Sequence, residues 1–119
     1  ALVASPEVNS GGITYNATNG DFSIPVGGRY LISSSYCFEA NATGIRAMYI
    51  YKIDGINGII TLLAEDKRSA VAVGPTCGTI TTVANLNAGD RIFFAAAQNS
   101  GATLNIFPAG DPNNRFVIT

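Results

Sequence analysis

A chain of 119 residues fits one domain that can bury a real core, so residues 1–119 are read as a single domain. Only 13% of the residues are charged, against a usual share of about 25%, and 47% are hydrophobic, so some apolar surface needs cover, most simply from copies of the same chain. The net charge of −1 without any Lys/Arg cluster excludes the footprint of a nucleic-acid or anionic-membrane binder, and no run reaches the ~18 apolar residues of a spanning helix.

In chain order, residues 2–4 suggest an edge strand and residues 5–12 a loop bearing proline and glycine. Ile13, Thr14 and Tyr15 form a short strand, and the Asn19-Gly20 turn leads into Phe22, Ile24 and Pro25. Gly27-Gly28 permits a bend before a strand in which Tyr30, Ile32, Ser34, Tyr36 and Phe38 share the inward face, with Leu31, Ser33, Ser35 and Cys37 opposite. A polar loop over residues 39–44 precedes a strand over 45–53, which the Asp54-Gly55 turn ends. Residues 58–63 are a further strand, 64–69 the most charged loop, and 70–73 resume β character. After Gly74-Pro75 comes a β-branched strand over 77–86, then the Asn87 to Asp90 turn, then an unusually apolar strand over 91–98. Asn99-Ser100-Gly101 turns the chain into residues 102–107, and Arg115, Phe116, Val117 and Ile118 close it. About eight to ten short strands at this spacing predict an all-β, antiparallel two-sheet β-sandwich with almost no helix.

Two corners of that sandwich carry a resemblance. The series Phe22, Pro25, Gly28, Tyr30, then Leu86, Gly89, Asp90, then Phe116 resembles the C1q/TNF-like jelly roll, with its F-x-x-P-x-x-G-x-Y corner and L-x-x-G-D turn. It covers roughly residues 13–118. The resemblance implies a homotrimeric head that recognises a cell-surface receptor or glycan from outside the cell, as on a fibre tip, a virion or a secreted protein. Ala1 in place of Met suits the C-terminal head of a longer chain, and the short, Asn- and Ala-rich loops point to a bacterial or viral source.

Chemistry is sparse. There is no histidine, the commonest general base and metal ligand, and the two cysteines are too distant for a local C-x-x-C site. Cys37 and Cys77 either bridge the fold or remain two thiols; spacing alone decides nothing. Glu7, Asp21, Glu39, Asp54, Glu65, Asp66, Asp90 and Asp111 could supply the carboxyl pair of a glycosidase, about 5–10 Å apart, but each sits in or beside a predicted turn where local hydrogen bonding favours it. No catalytic residue is therefore assigned, and a glycan-cleaving enzyme ranks third among the readings. Glu65 and Asp66 could join loop oxygens around a calcium ion, which takes ~6–8 oxygen ligands, yet no EF-hand spacing supports it. No cofactor is expected, with loop-bound calcium left open. Asn16-Ala17-Thr18 and Asn41-Ala42-Thr43 fit the N-x-T pattern, which is common by chance in a chain rich in Asn and Thr, and are read as loops.

Ligand contacts are assigned to loop residues Asp54, Asn57, Glu65, Asp66, Lys67 and Arg68. Tyr49 and Tyr51 could stack on a sugar, although strand positions favour core or subunit contact. The strands over 45–53 and 91–98 are apolar on both faces, so each needs cover on both. If Ile92, Phe94 and Ala96 fill the core, then Phe93, Ala95 and Ala97 face outward, together with either Met48 and Ile50 or Tyr49 and Tyr51. The resemblance implies that such a face surrounds a threefold axis, and the trimer interface is assigned to Met48, Ile50, Phe93, Ala95, Ala97 and Phe116. A structural head that only registers a fibrous stalk, without its own ligand, is the alternative to recognition.

Overall fold

The structure, a computed structural model, describes residues 8–9, 13–16, 18–104 and 115–118, with 8–9 and 115–117 placed by backbone alone. Its elements are β1 (Val8–Asn9), β2 (Thr14–Asn16), β3 (Asp21–Ser23), β4 (Gly28–Phe38), β5 (Ile45–Ile53), β6 (Ile60–Ser69), β7 (Thr76–Leu86), β8 (Arg91–Gln98) and β9 (Arg115–Ile118). No helix occurs among the described residues. A five-stranded sheet, β2-β3-β8-β5-β6, packs on a four-stranded sheet, β1-β9-β4-β7. The two-residue β1 pairs with β9 in parallel, and every other pairing is antiparallel.

Period-two alternation builds the core from both sheets. On β4, Ile32, Ser34, Tyr36 and Phe38 are buried while Leu31 is exposed; Ser34 pairs with buried Ile80 of β7 and Ile32 with buried Ile118 of β9, and Leu86 of β7 joins the same core. The five-stranded sheet answers with Phe22, Met48, Ile50, Ile92 and Phe94. Phe22 and Phe94 meet edge to face at 5.8 Å, the arrangement the ring quadrupole favours. Each such side chain contributes roughly 1.5–3 kcal/mol by leaving water.

The two corners legible in the sequence are neighbours in space. Ile24 N–H donates to Asp90 O and Gly89 N–H donates to Ile24 O, both at 2.9 Å, so the 24–27 bend and the 87–90 turn hold each other. Gly89 has φ +92°, a left-handed value that costs a residue without a Cβ nothing.

Three segments differ from expectation. Residues 64–69 are strand, not loop: they form the second half of β6, paired residue by residue with β5 from Ile50↔Ala64 to Ile45↔Ser69. Charge does not break a strand that ends a sheet, where one edge already faces water. Residues 70–73 are loop, not strand, because their backbone bonds go elsewhere: Ala70 N–H to Gly44 O, Val71 N–H to the Thr76 hydroxyl. Val8 and Asn9, within the expected N-terminal loop, are strand. The strand expected over residues 2–4 and most of that over 102–107 lie outside the described residues.

Candidate functional site

The outer face of the five-stranded sheet gathers aromatic and aliphatic side chains on one surface. The β5–β8 register sets Ala47 beside Ala97, Tyr49 beside Ala95, and Tyr51 beside Phe93. Tyr51 and Phe93 stack at 5.0 Å with 17° between planes, and Tyr49 lies 5.9 Å from Tyr51. Across β5 the face continues onto β6 with Leu62 and Ile60, 46% and 58% exposed. A bulge between Ile50 and Tyr51 keeps this face in phase, since Ile50 pairs with Ala64 and Tyr51 with Leu62 while Leu63 turns to the core. Beside the rings an open depression of ≈ 230 Å³ is lined by Ile45, Ala47, Tyr49, Lys67, Ala97, Gln98 and Asn99.

This placement corrects the interface assigned from sequence. Phe93, Ala95 and Ala97 do face outward, half-buried or exposed. Met48 and Ile50 do not: both are 0% exposed, because register puts them beside Ala96 and Phe94 on the core side. Tyr49 and Tyr51, half-buried, face outward instead. Phe116 is on β9 at the register position opposite Ser34, and its side chain lies outside the described residues.

A second cluster closes the sandwich where the edges of the two sheets meet. Tyr36 on β4 is fully buried, and its hydroxyl donates to Asp66 Oδ2 on β6 at 2.6 Å. Arg68 grips the same carboxylate through Nε and Nη2, both at 3.1 Å, and donates Nη1 to Cys77 O on β7 at 3.0 Å. Burial, then the Asp66 hydrogen bond and charge, pushes the Tyr36 phenol well above its usual value. Burial alone would raise the Asp66 carboxyl, but hydrogen bonds from Arg68 and Tyr36 and the Arg68 charge outweigh it and hold it below the usual carboxylate range. The Asp66 bond in turn raises Arg68. Cys37 and Cys77, direct partners in the β4–β7 ladder, form a disulfide against this cluster, which decides the alternative the sequence left open.

The six candidate ligand residues are therefore not one site. Asp54 and Asn57 shape their own turn: Asp54 Oδ1 accepts from Ile56 and Asn57 N–H, which lowers its pKa, and Asn57 Oδ1 accepts from Ile59 N–H. Asp66 and Arg68 belong to the inter-sheet cluster, while Glu65 and Lys67, 3.8 Å apart, flank the aromatic face. Other acids are structural too. Asp90 is buried and accepts from Gly55 N–H at 3.0 Å and Asn87 N–H at 2.9 Å, and Asp21 pairs with Arg91 at 2.8 Å. Glu7 and Asp111 lie outside the described residues. Among the described residues no three acidic, cysteine or histidine side chains gather as a metal site would require. The Tyr36–Asp66–Arg68 cluster escaped sequence reasoning; its only trace is acid and base two residues apart, the spacing of one strand face.

No protein-family model matches the chain. It is similar to an uncharacterized protein of Acanthamoeba polyphaga mimivirus, with 45% identity over 116 residues, which cover 98% of this chain and 48% of that protein. The chain thus spans about half the length of the curated relative it matches.

Proposed function

We propose that the chain is a non-enzymatic, homotrimeric recognition head of the C1q/TNF-like jelly-roll kind, displayed outside the cell or on a virion and contacting a receptor or glycan. The observation that carries this reading is the outer face of the five-stranded sheet, where Tyr49, Tyr51, Phe93, Leu62 and Ile60 form one apolar surface on a chain with few charges. Burying it against copies of itself is the simplest cover. The strand order supports the jelly-roll reading, since from β4 onward the chain crosses repeatedly between sheets and β9 returns beside β1. The non-enzymatic reading draws support from Asp21, Asp54, Asp66 and Asp90, whose carboxylates are engaged by backbone N–H groups or arginine.

Leu31 and Val83, paired in register on the four-stranded sheet and 42% and 52% exposed, offer a second apolar face. Light scattering on the unmodified chain, Phe93→Asp and Leu31→Asp decides between them. A trimer lost only in Phe93→Asp assigns the five-stranded face, and one lost only in Leu31→Asp assigns the other. A monodisperse monomer for the unmodified chain overturns the proposal.

The scatter of the six candidate ligand residues favours a second reading, a head that registers a fibrous stalk without a ligand of its own. A glycan-array and cell-binding assay on the trimer separates the two, because a stalk-registering head binds neither.

A further inference from the structure

Asn41-Ala42-Thr43 has the form of an N-glycan acceptor, asparagine followed two positions later by a hydroxyl residue with no proline between. The same tripeptide at Asn16 to Thr18 gives an internal comparison. Both make an Asx turn, Asn41 Oδ1 accepting from Thr43 N–H and Asn16 Oδ1 from Thr18 N–H, each at 2.9 Å. What distinguishes Asn41 lies beneath it. Arg46 is 0% exposed and has no carboxylate partner among the described residues. A buried cation is costly unless it is held, and its guanidinium donates to Asn41 O and Thr43 O, both at 2.8 Å, and to Ile45 O at 3.1 Å. The two residues that define the acceptor thus have their carbonyls turned inward, while Ala42 and Thr43 stay exposed. Asn41 Nδ2 donates to no acceptor among the described residues. The N–H bond to Oδ1 draws electron density from the amide and makes the Nδ2 protons easier to lose. The chain's two cysteines are joined, as suits the oxidising compartments in which lipid-linked glycans are transferred.

We propose that Asn41 is an N-glycosylation site, modified from a lipid-linked oligosaccharide diphosphate. Asn41 Nδ2 attacks the anomeric carbon; the N–C bond forms as the C–O bond to the diphosphate breaks. The lipid diphosphate leaves with the electron pair, the Nδ2 proton passes to a carboxylate of the transferase, and nothing is oxidised or reduced.

The chain is secreted from a eukaryotic host beside a known glycoprotein, and its intact mass and peptide map are taken before and after peptide-N-glycosidase. The expected result is a glycan mass lost on digestion, with Asn41 converted to aspartate. Thr43→Ala should abolish that mass, while Thr43→Ser and Thr18→Ala retain glycan at Asn41. A bare intact mass when the control glycoprotein is modified, or a glycan confined to Asn16, overturns the proposal. The peptide map of the unmodified chain reads the site even if a variant fails to fold.

Discussion

The hydroxyl of Tyr36, on the four-stranded sheet, donates to the carboxylate of Asp66, on the five-stranded sheet, across 2.6 Å. It is a polar tie between two layers otherwise joined by apolar packing, and Arg68 extends it to the backbone of β7.

Tyr36→Phe removes the donor and keeps the ring. A hydrogen bond to a charged group contributes about 1.5–3 kcal/mol, and Arg68 still holds Asp66 in the variant, so the expected loss is about 1–2 kcal/mol by urea unfolding. The pH profile should change as well. The Asp66 carboxyl is depressed below 3.8 in the folded chain, so its contribution is present above that value and fades as pH falls beneath it. The Tyr36 phenol is raised above 10.0, so its contribution is present below pH 10 and fades as pH rises beyond it. Tyr36→Phe should abolish that alkaline component, and an unchanged alkaline limb would contradict the assignment.

Gly78 leaves the room this cluster needs. A Cβ there would sit 2.6 Å from Asp66 Oδ2, 2.7 Å from the Tyr36 hydroxyl and 2.8 Å from Arg68 Nε. Gly78→Ala should cost about 1–3 kcal/mol as an overpacked site. Gly28→Ala is the control, its Cβ meeting only Tyr30 Cε2 at 3.9 Å, and equal losses for the two variants would rule out crowding as the cause.

The Cys37–Cys77 bridge spans 40 residues of sequence. Closing a loop of that length restricts the unfolded chain by about 3–4 kcal/mol, so Cys37→Ser with Cys77→Ser should lower stability by that order. A thiol count in denaturant without reductant should find none free, and two titratable thiols would refute the bridge.

Asp90→Ala should cost about 1–2 kcal/mol, because it removes the acceptor of two part-buried bonds, from Gly55 N–H and Asn87 N–H. Amide hydrogen exchange gives the sharper readout: protection should fall at both loops together. Loss confined to residues 87–90 would show that the 54–58 loop holds itself.

Alternation made β4 legible, down to which of its residues face inward, and the glycine-bearing turns located both corners. On β5 the same reasoning failed to choose a face. Met48 and Ile50 are no more apolar in kind than Tyr49 and Tyr51 are amphipathic, so only the pairing with Ala96 and Phe94 of β8 settles which side is core. On β6 the alternation is written in charge, Glu65 and Lys67 to one side and Asp66 and Arg68 to the other, a pattern that hydrophobic periodicity cannot register. The disulfide depends on β4 meeting β7 in one particular register, a long-range pairing that local spacing does not encode.

The charged half of β6 has one more consequence. As the terminal strand of its sheet it offers unpaired backbone groups to any extended segment, the route by which β proteins polymerise edge to edge. Here an incoming strand would have to lie against Glu65 and Lys67 on one side and Asp66 and Arg68 on the other, stripping water from charges in both directions. The charges thereby oppose endless cross-strand ribbons between crowded copies.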